Sequence, residues 1–149
     1  MTISAETPRS PESAGTSGGP APAAPKAALR MFPAAGADDV VVVLSNAPDM
    51  LLAKRIAHVL VEERLAACVG LGAAGLSMYM WQGRLEGGEE VALTMKTTGA
   101  ALPALMTRLA ALHPYEVPEM LVLPVLGGSA PYLDWVRGQV DPAGRTSGD

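Results

Sequence analysis

Residues 40–44, Val-Val-Val-Val-Leu, carry no polar side chain on either side of a strand. Successive side chains of a strand point to opposite faces of its sheet, so a strand of this kind has to be covered on both faces. The segment therefore predicts a central strand. The rest of the chain has to supply apolar cover above and below it, and this requirement constrains the fold more than any other feature.

The segments that follow predict one helix and a long hairpin. Asn46 or Asp49 can cap a helix that runs to about Arg64, since its apolar residues recur at helical spacing. Residues 66–69 begin a second strand, which 76–81 resume after a glycine-rich interruption. Gln82-Gly83 is a plausible two-residue turn into a third strand. Gly87-Gly88 predicts a bulge or bend in that strand.

The C-terminal half predicts a second helix, a fourth strand and a short terminal helix. The apolar stripe from Leu102 to Leu112 has helical spacing, and Pro103 is tolerated because it lies in the first turn. Residues 113–119 are kept extended by two prolines. Residues 120–125 predict a strand whose far end lies at a sheet edge or a bulge, because it contains Pro124. Ser129 can cap the terminal helix.

The order β-α-β-β-α-β plus a helix predicts an α+β fold, the ferredoxin-like split βαβ arrangement, over residues 38–140. Two helices cover one face of its sheet and leave the other bare, so we expect a closed oligomer. Residues 1–37, rich in Pro, Ala, Ser and Gly, and residues 141–149 are expected to be disordered.

Charge and composition exclude several classes of protein. The net charge is −4, and the basic residues of the domain are scattered, which argues against nucleic acid and membrane surfaces as partners. No apolar run approaches the ~20 residues that span a bilayer, and no secretory signal is recognisable. Cys68 is the only cysteine, which fits a reducing compartment. The expected location is the cytoplasm.

Four stretches together resemble the CutA family of divalent-cation tolerance proteins. They are residues 41–49, 63–69, 96–98 and 113–125, joined in order by Tyr79, Trp81, Gly83, Tyr132 and Trp135. The resemblance covers about 40–140. It implies a homotrimer in which long hairpins pair with neighbouring subunits and leave three clefts between them. It also implies a role in the response to divalent metal ions, with copper bound by some members.

A metal site is expected at His113 with Glu119, or with Glu116 as the alternative carboxylate, and with copper or zinc as the ion. Members associated with copper carry a cysteine and paired histidines where this chain has Ser45 and Leu112-His113, so the donor set is smaller than copper favours. The alternative interpretation is that His113 is a hydrogen-bonding histidine at a helix C-terminus.

A ligand cleft is expected around Lys96, Trp81, Tyr115 and Glu119, where a lysine beside aromatic and carboxylate groups could hold a small anion. The alternative is an interface salt bridge with aromatic packing. Residues 70–75 match G-x-G-x-x-G, but strand-like residues follow instead of a helix, so these glycines are interpreted as a bend in the strand.

The expected function is that of a trimeric divalent-cation tolerance protein. The alternative is a PII-like sensor or scaffold that binds an anionic ligand between subunits. An enzyme is not expected, because no nucleophile-base pair or metal-ligand cluster is recognisable. Cys68 is interpreted as a small buried hydrophobic residue of the strand.

Overall fold

The computed structural model describes residues 24–31 and 33–143. The described elements, in chain order, are β1 (Val40–Ala47), α1 (Met50–Glu62), β2 (Cys68–Trp81), β3 (Arg84–Thr98), α2 (Leu102–Leu112), β4 (Leu121–Pro124) and α3 (Ala130–Gln139). The four strands form one antiparallel sheet in the order β2-β3-β1-β4. The β-α-β-β-α-β order and the additional helix are thus confirmed, and β4 is an edge strand as predicted.

One face of the sheet forms the hydrophobic core with α1 and α2. The odd-numbered residues of β1 and of the second half of β3 (91–97), such as Val43 and Leu93, are buried there with Ile56 of α1 and Leu109 of α2. Asp49 caps α1 by accepting a hydrogen bond from the Leu52 amide at 2.8 Å. These elements form where the sequence predicts them because the apolar spacing of each helix matches its buried face.

The opposite face of the sheet, here called the open face, remains apolar but uncovered over much of its area. Antiparallel partners place their side chains on the same face, and two such rows cross the sheet. The rows are Leu123–Val42–Lys96–Cys68 and Leu121–Leu44–Thr94–Gly70. Leu121 and Leu123 are 52% and 43% exposed. Within a single subunit, only the start of the central strand is covered on this face, where Val40 packs against Val136 of α3.

The β2–β3 hairpin extends well beyond the core. Gln82 and Gly83 form its turn with φ values of 48° and 77°, the left-handed conformation that a two-residue hairpin requires. The predicted bulge at Gly87-Gly88 is wrong, because both residues keep regular register with Met78 and Ser77. The irregularity lies in β2, between Leu71 and Ala74, where the glycine-rich stretch bends the strand.

The terminal helix α3 buries only part of its apolar surface. Val136 is fully buried against Val40 and Ala101, whereas Tyr132 and Trp135 remain 43% and 44% exposed and contact each other. Ser129 caps the helix through the Tyr132 amide. The two aromatic rings thus add to the apolar surface that one subunit leaves uncovered.

The disorder expected for 1–37 and 141–149 falls mainly outside the described residues, which exclude 1–23, 32 and 144–149. Within the described part of the N-terminal segment, Leu29, Met31 and Ala35 pack against the core. At the other end the Asp141 amide donates to the Arg64 carbonyl at 2.8 Å. Among the described helices, none combines the length and the apolar character needed to span a membrane.

Candidate functional site

His113 lies at the C-terminal end of α2 and is 4% exposed. Its Nε2 atom is 2.7 Å from the Asn46 carbonyl oxygen, and its Nδ1 atom accepts a hydrogen bond from the Tyr115 amide at 3.2 Å. A carbonyl only accepts and an amide only donates, so the ring is the neutral tautomer with its proton on Nε2. Burial lowers the pKa of His113, and the neighbouring Lys26 cation lowers it further, against the opposing effects of the Asn46 carbonyl and Glu90.

Glu90 of β3 connects three elements of the sheet. Its Oε2 atom accepts hydrogen bonds from the Asn46 side-chain amide and from the Ser77 hydroxyl, both at 2.7 Å. Asn46 lies near the end of β1 and Ser77 lies in β2, so the carboxylate bonds to both strands that neighbour β3. We call the group of Asn46, Ser77, Glu90, His113 and Tyr115 the Glu90 cluster.

Tyr115 completes the cluster, with its ring centroid 4.7 Å from that of His113. It is 7% exposed, and its hydroxyl has no hydrogen-bond partner within the described residues. Burial raises the pKa of Tyr115 to about 12, with smaller contributions from the negative charges of Glu90 and Asp49 and from Tyr79. At neutral pH the cluster therefore presents an uncharged phenol and an uncharged imidazole beside one carboxylate.

The four residues expected to form the ligand cleft do not meet within one subunit. Lys96 is in register with Cys68, whereas Trp81 is in register with Arg84 at the hairpin tip. Twelve residues of β3 separate these two positions, which corresponds to about 40 Å at the rise of a strand. Tyr115 belongs to the Glu90 cluster, about 20 Å from Lys96 along β3 by the same measure, and Glu119 is exposed. Any cleft that unites them has to form between subunits.

Lys96 lies instead in a second polar corner, with Cys68 and Tyr132 on the open face. The Cys68 Sγ and Tyr132 Oη atoms are 3.9 Å apart. Burial and the neighbouring Cys68 raise the pKa of Tyr132, and the Lys96 ammonium group opposes that rise. Among the described residues Lys96 forms no salt bridge. A lysine without a carboxylate partner among the described residues can attract an anion.

The hydrogen bonds of His113 determine whether it can serve in the metal site expected at His113 and Glu119. A metal binds the lone pair of a neutral imidazole nitrogen, but Nε2 of His113 carries its proton and the Nδ1 lone pair accepts from Tyr115. In residues 24–31 and 33–143, no group of three or more His, Cys, Asp or Glu side chains is placed to hold an ion. The hydrogen-bonding interpretation of His113 therefore matches its geometry in one subunit.

Sequence reasoning missed Asn46, Ser77 and Glu90 as members of the site. Glu90 lies in a run of glycine and glutamate that reads as a solvated strand. Its role depends on the registers that bring β1 and β2 to its sides, and these registers are long-range pairings. The sequence signal that could have identified Glu90 is the alternation of side chains along β3. Glu90 lies on the same face as Ala92 and Thr94, and therefore on the same face as Asn46, which pairs with Ala92.

Tyr115 predicts a decline in stability at alkaline pH. Its folded pKa is about 12, above the ~10 of a tyrosine in an unfolded chain. The stabilisation by the buried neutral phenol is therefore complete below about pH 10 and is lost as the pH rises towards 12. Replacing Glu90 by Gln removes one negative charge and should lower the pKa of Tyr115. An ultraviolet titration of the tyrosinate, with Tyr115→Phe to assign the transition, measures this shift, and an unchanged transition in Glu90→Gln would contradict it.

The family profile and the similar proteins that match this domain carry the CutA name. A family profile described as "CutA1 divalent ion tolerance protein" matches residues 41–139. A divalent-cation tolerance protein CutA from Pectobacterium atrosepticum is 46% identical over 102 residues, covering 68% of this chain and 93% of that protein. The protein of the same name from Thermus thermophilus is 49% identical over 96 residues, covering 64% and 93%.

Solved structures agree with these matches. The crystal structure of CutA from Xylella fastidiosa superposes with a TM-score of 0.67 at 43% sequence identity, covering 69% of this chain and 99% of that one. The similarity therefore extends over the whole domain that carries the Glu90 cluster, the open face and the hairpin. Residues 1–40 lie outside the range that the family profile matches.

Proposed function

Because the chain belongs to the CutA1 divalent ion tolerance family, we propose that it acts in the response to divalent metal ions as a homotrimer and catalyses no reaction. The observation that carries the proposal is the open face. On the other face of the sheet, beyond the helices, the β2–β3 hairpin adds four large apolar side chains that are more than half exposed: Leu76, Met78, Met80 and Leu85. An exposed apolar surface of this extent is typical of a subunit interface.

In a trimer, residues that lie far apart within one subunit can meet at the boundary between two subunits. Lys96 and Trp81 are separated by about 40 Å of strand, so the tip of one hairpin meets the Lys96 corner only if it belongs to a neighbouring subunit. In this arrangement each cleft combines Lys96 of one subunit with Trp81 of another. The edges of β2 and β4, each unpaired in the described chain, are the backbone groups available for pairing between subunits.

In this proposal a divalent ion, copper or zinc, binds between subunits and not at a preformed site inside one. Glu119 is exposed and available as a ligand. His113 can contribute only if the Tyr115 amide leaves its Nδ1 atom, which costs about 1 kcal/mol or more for a buried hydrogen bond. Weak binding that rises with pH is expected, because carboxylate and imidazole ligands have to be deprotonated.

Titration calorimetry of the assembled protein with zinc and with copper tests the ion site. Glu119→Gln is expected to reduce the binding heat by removing a charged oxygen ligand. Glu62→Gln, an exposed glutamate on α1, is the matched control and should leave it unchanged. Equal heats for the two variants and the unmodified protein would exclude Glu119 as a ligand.

A second candidate function is a PII-like sensor that binds an anion between subunits, and the ammonium group of Lys96, which forms no salt bridge with the described residues, favours it. Binding of an anion to the folded state raises the melting temperature. With ATP and with inorganic phosphate as probes, the shift should disappear in Lys96→Ala and persist in Lys54→Ala, an exposed lysine of α1. The absence of any shift in the unmodified protein would exclude this candidate.

The cytoplasm is the proposed compartment. The single thiol, Cys68, is free and has no intrachain cysteine with which to pair. Single reduced cysteines are typical of a reducing compartment.

A further inference from the structure

The described residues before β1 contact both ends of helix α2. At the C-terminal end, the Lys26 Nζ atom donates to the His113 carbonyl at 2.8 Å. At the N-terminal end, the Ala100 amide donates to the Ala37 carbonyl at 3.0 Å and the Gly99 amide donates to the Asp39 carbonyl at 2.8 Å. The segment therefore runs along α2 in the opposite direction to the helix.

Apolar contacts lie between these two anchor points. Residues 27, 29 and 31 are half-buried while 28 and 30 are exposed, which is the alternation of an extended chain lying on a surface. Leu29 and Met31 pack against the core cluster, and Ala35 joins them nearer the second anchor. These contacts lie on the side of the sheet that α1 and α2 cover, so the segment leaves the open face free for other subunits.

Each anchor has a separate physical basis. The Lys26 ammonium group lies at the negative end of the α2 dipole and neutralises a terminal carbonyl that lacks a partner within the helix. At the other end, the backbone of Gly36 lies so close to Gly99 that a Cβ atom at position 99 would collide with the Gly36 carbonyl group. The segment can therefore lie in this position only if residue 99 is a glycine.

We propose that residues 26–31 and 33–37 form a strap, built from the part of the chain outside the family match, that closes over α2 and opens as a unit to release the His113 end of that helix. The strap is fastened at two points, with few buried contacts between them, so its opening costs less than unfolding of the domain. Opening removes the Lys26 bond from His113, the residue through which α2 reaches the Glu90 cluster. The N-terminal extension is thereby linked to the cluster without a contact to the open face.

Hydrogen exchange of the full-length protein tests the strap. Among the described residues, the Ala100 amide donates to the carbonyl of Ala37 in the strap, so its exchange reports closure. The Gly99 amide donates to Asp39, which lies outside the strap, and serves as an internal reference. Leu29→Ser combined with Met31→Ser should speed exchange of the Ala100 amide on the order of tenfold, because the half-buried apolar contacts that favour closure are lost. The matched control, Ala28→Ser combined with Arg30→Ser, changes exposed positions of the same segment and should leave the rate unchanged.

Two further readouts separate the strap from general destabilisation. Lys26→Met should raise the pKa of His113, measured by NMR, because the cation that lowers it is gone. The sedimentation coefficient should be the same for all strap variants, because the open face is untouched. The proposal is overturned if the Ala100 amide of the unmodified protein exchanges at the rate of an open loop, or if the double serine variant and its control exchange equally.

Discussion

Replacing Met80 and Leu85 together with glutamate should convert the assembly into single subunits that retain their secondary structure. The two residues are a cross-strand pair near the hairpin tip, and they are 58% and 65% exposed in one chain. Burial of such side chains between subunits contributes about 1.5–3 kcal/mol each, and this contribution is repeated at three interfaces in a trimer. Carboxylates placed there lose hydration without gaining a partner, which costs on the order of several kcal/mol more.

Sedimentation velocity at micromolar concentration, with circular dichroism on the same samples, measures this result. Leu51→Glu is the matched control, because Leu51 is 82% exposed on α1, on the helix-covered side of the sheet. The control should sediment as the unmodified protein does. If the Met80/Leu85 variant keeps the mass of three subunits, the hairpin is not part of the interface.

Replacing His113 by Ala should lower the free energy of unfolding by about 2–4 kcal/mol, because it removes two buried hydrogen bonds and leaves a cavity at the end of α2. The Asn46 carbonyl and the Tyr115 amide both lose their partner. Thermal unfolding at a fixed subunit concentration measures the effect, since the apparent stability of an oligomer depends on concentration.

The other histidine of the chain, His58, provides the control. It lies on the exposed surface of α1 beside Glu62, so His58→Ala should change stability by no more than about 0.5 kcal/mol. Comparable losses for the two alanine variants would show that the buried bonds of His113 contribute little.

The same geometry predicts how stability varies with acidity. The folded pKa of His113 is lowered below the ordinary value of 6.5, chiefly by burial. The stabilisation by the neutral ring is therefore present above about pH 6.5 and is lost as the pH falls through the folded value. His113→Ala should flatten this part of the stability profile.

Local chemistry was sufficient to predict most elements and their ends. Asp49 and Ser129 cap helices because each side chain accepts a hydrogen bond from the backbone amide three residues further along, and both cap residues are recognisable in the sequence. The Gln82-Gly83 turn was predictable because its glycine tolerates a positive φ. The Gly87-Gly88 bulge was wrong, because a glycine pair permits a bulge and only the pairing with β2 decides whether one forms.

The candidate site was less predictable, and the reason differs between its residues. His113 and Tyr115 are recognisable from the sequence, but their roles depend on the Asn46 carbonyl, which belongs to a strand 67 residues earlier. Glu90 is bound by residues from two other strands. The sequence suggested that Lys96 and Trp81 line one cleft, but the length of β3 places them far apart in one subunit.

The sequence by itself determined the order of strands and helices, the caps, the hairpin turn and an apolar surface too large for one subunit to cover. These follow from interactions between residues close together in the chain, whose spacing can be read directly. Only the tertiary structure decided that Glu90 joins three strands, that both nitrogens of His113 are engaged, and that the segment before β1 lies along α2. Those contacts depend on strand register and on packing between distant segments, where a shift of one residue would turn each side chain to the opposite face.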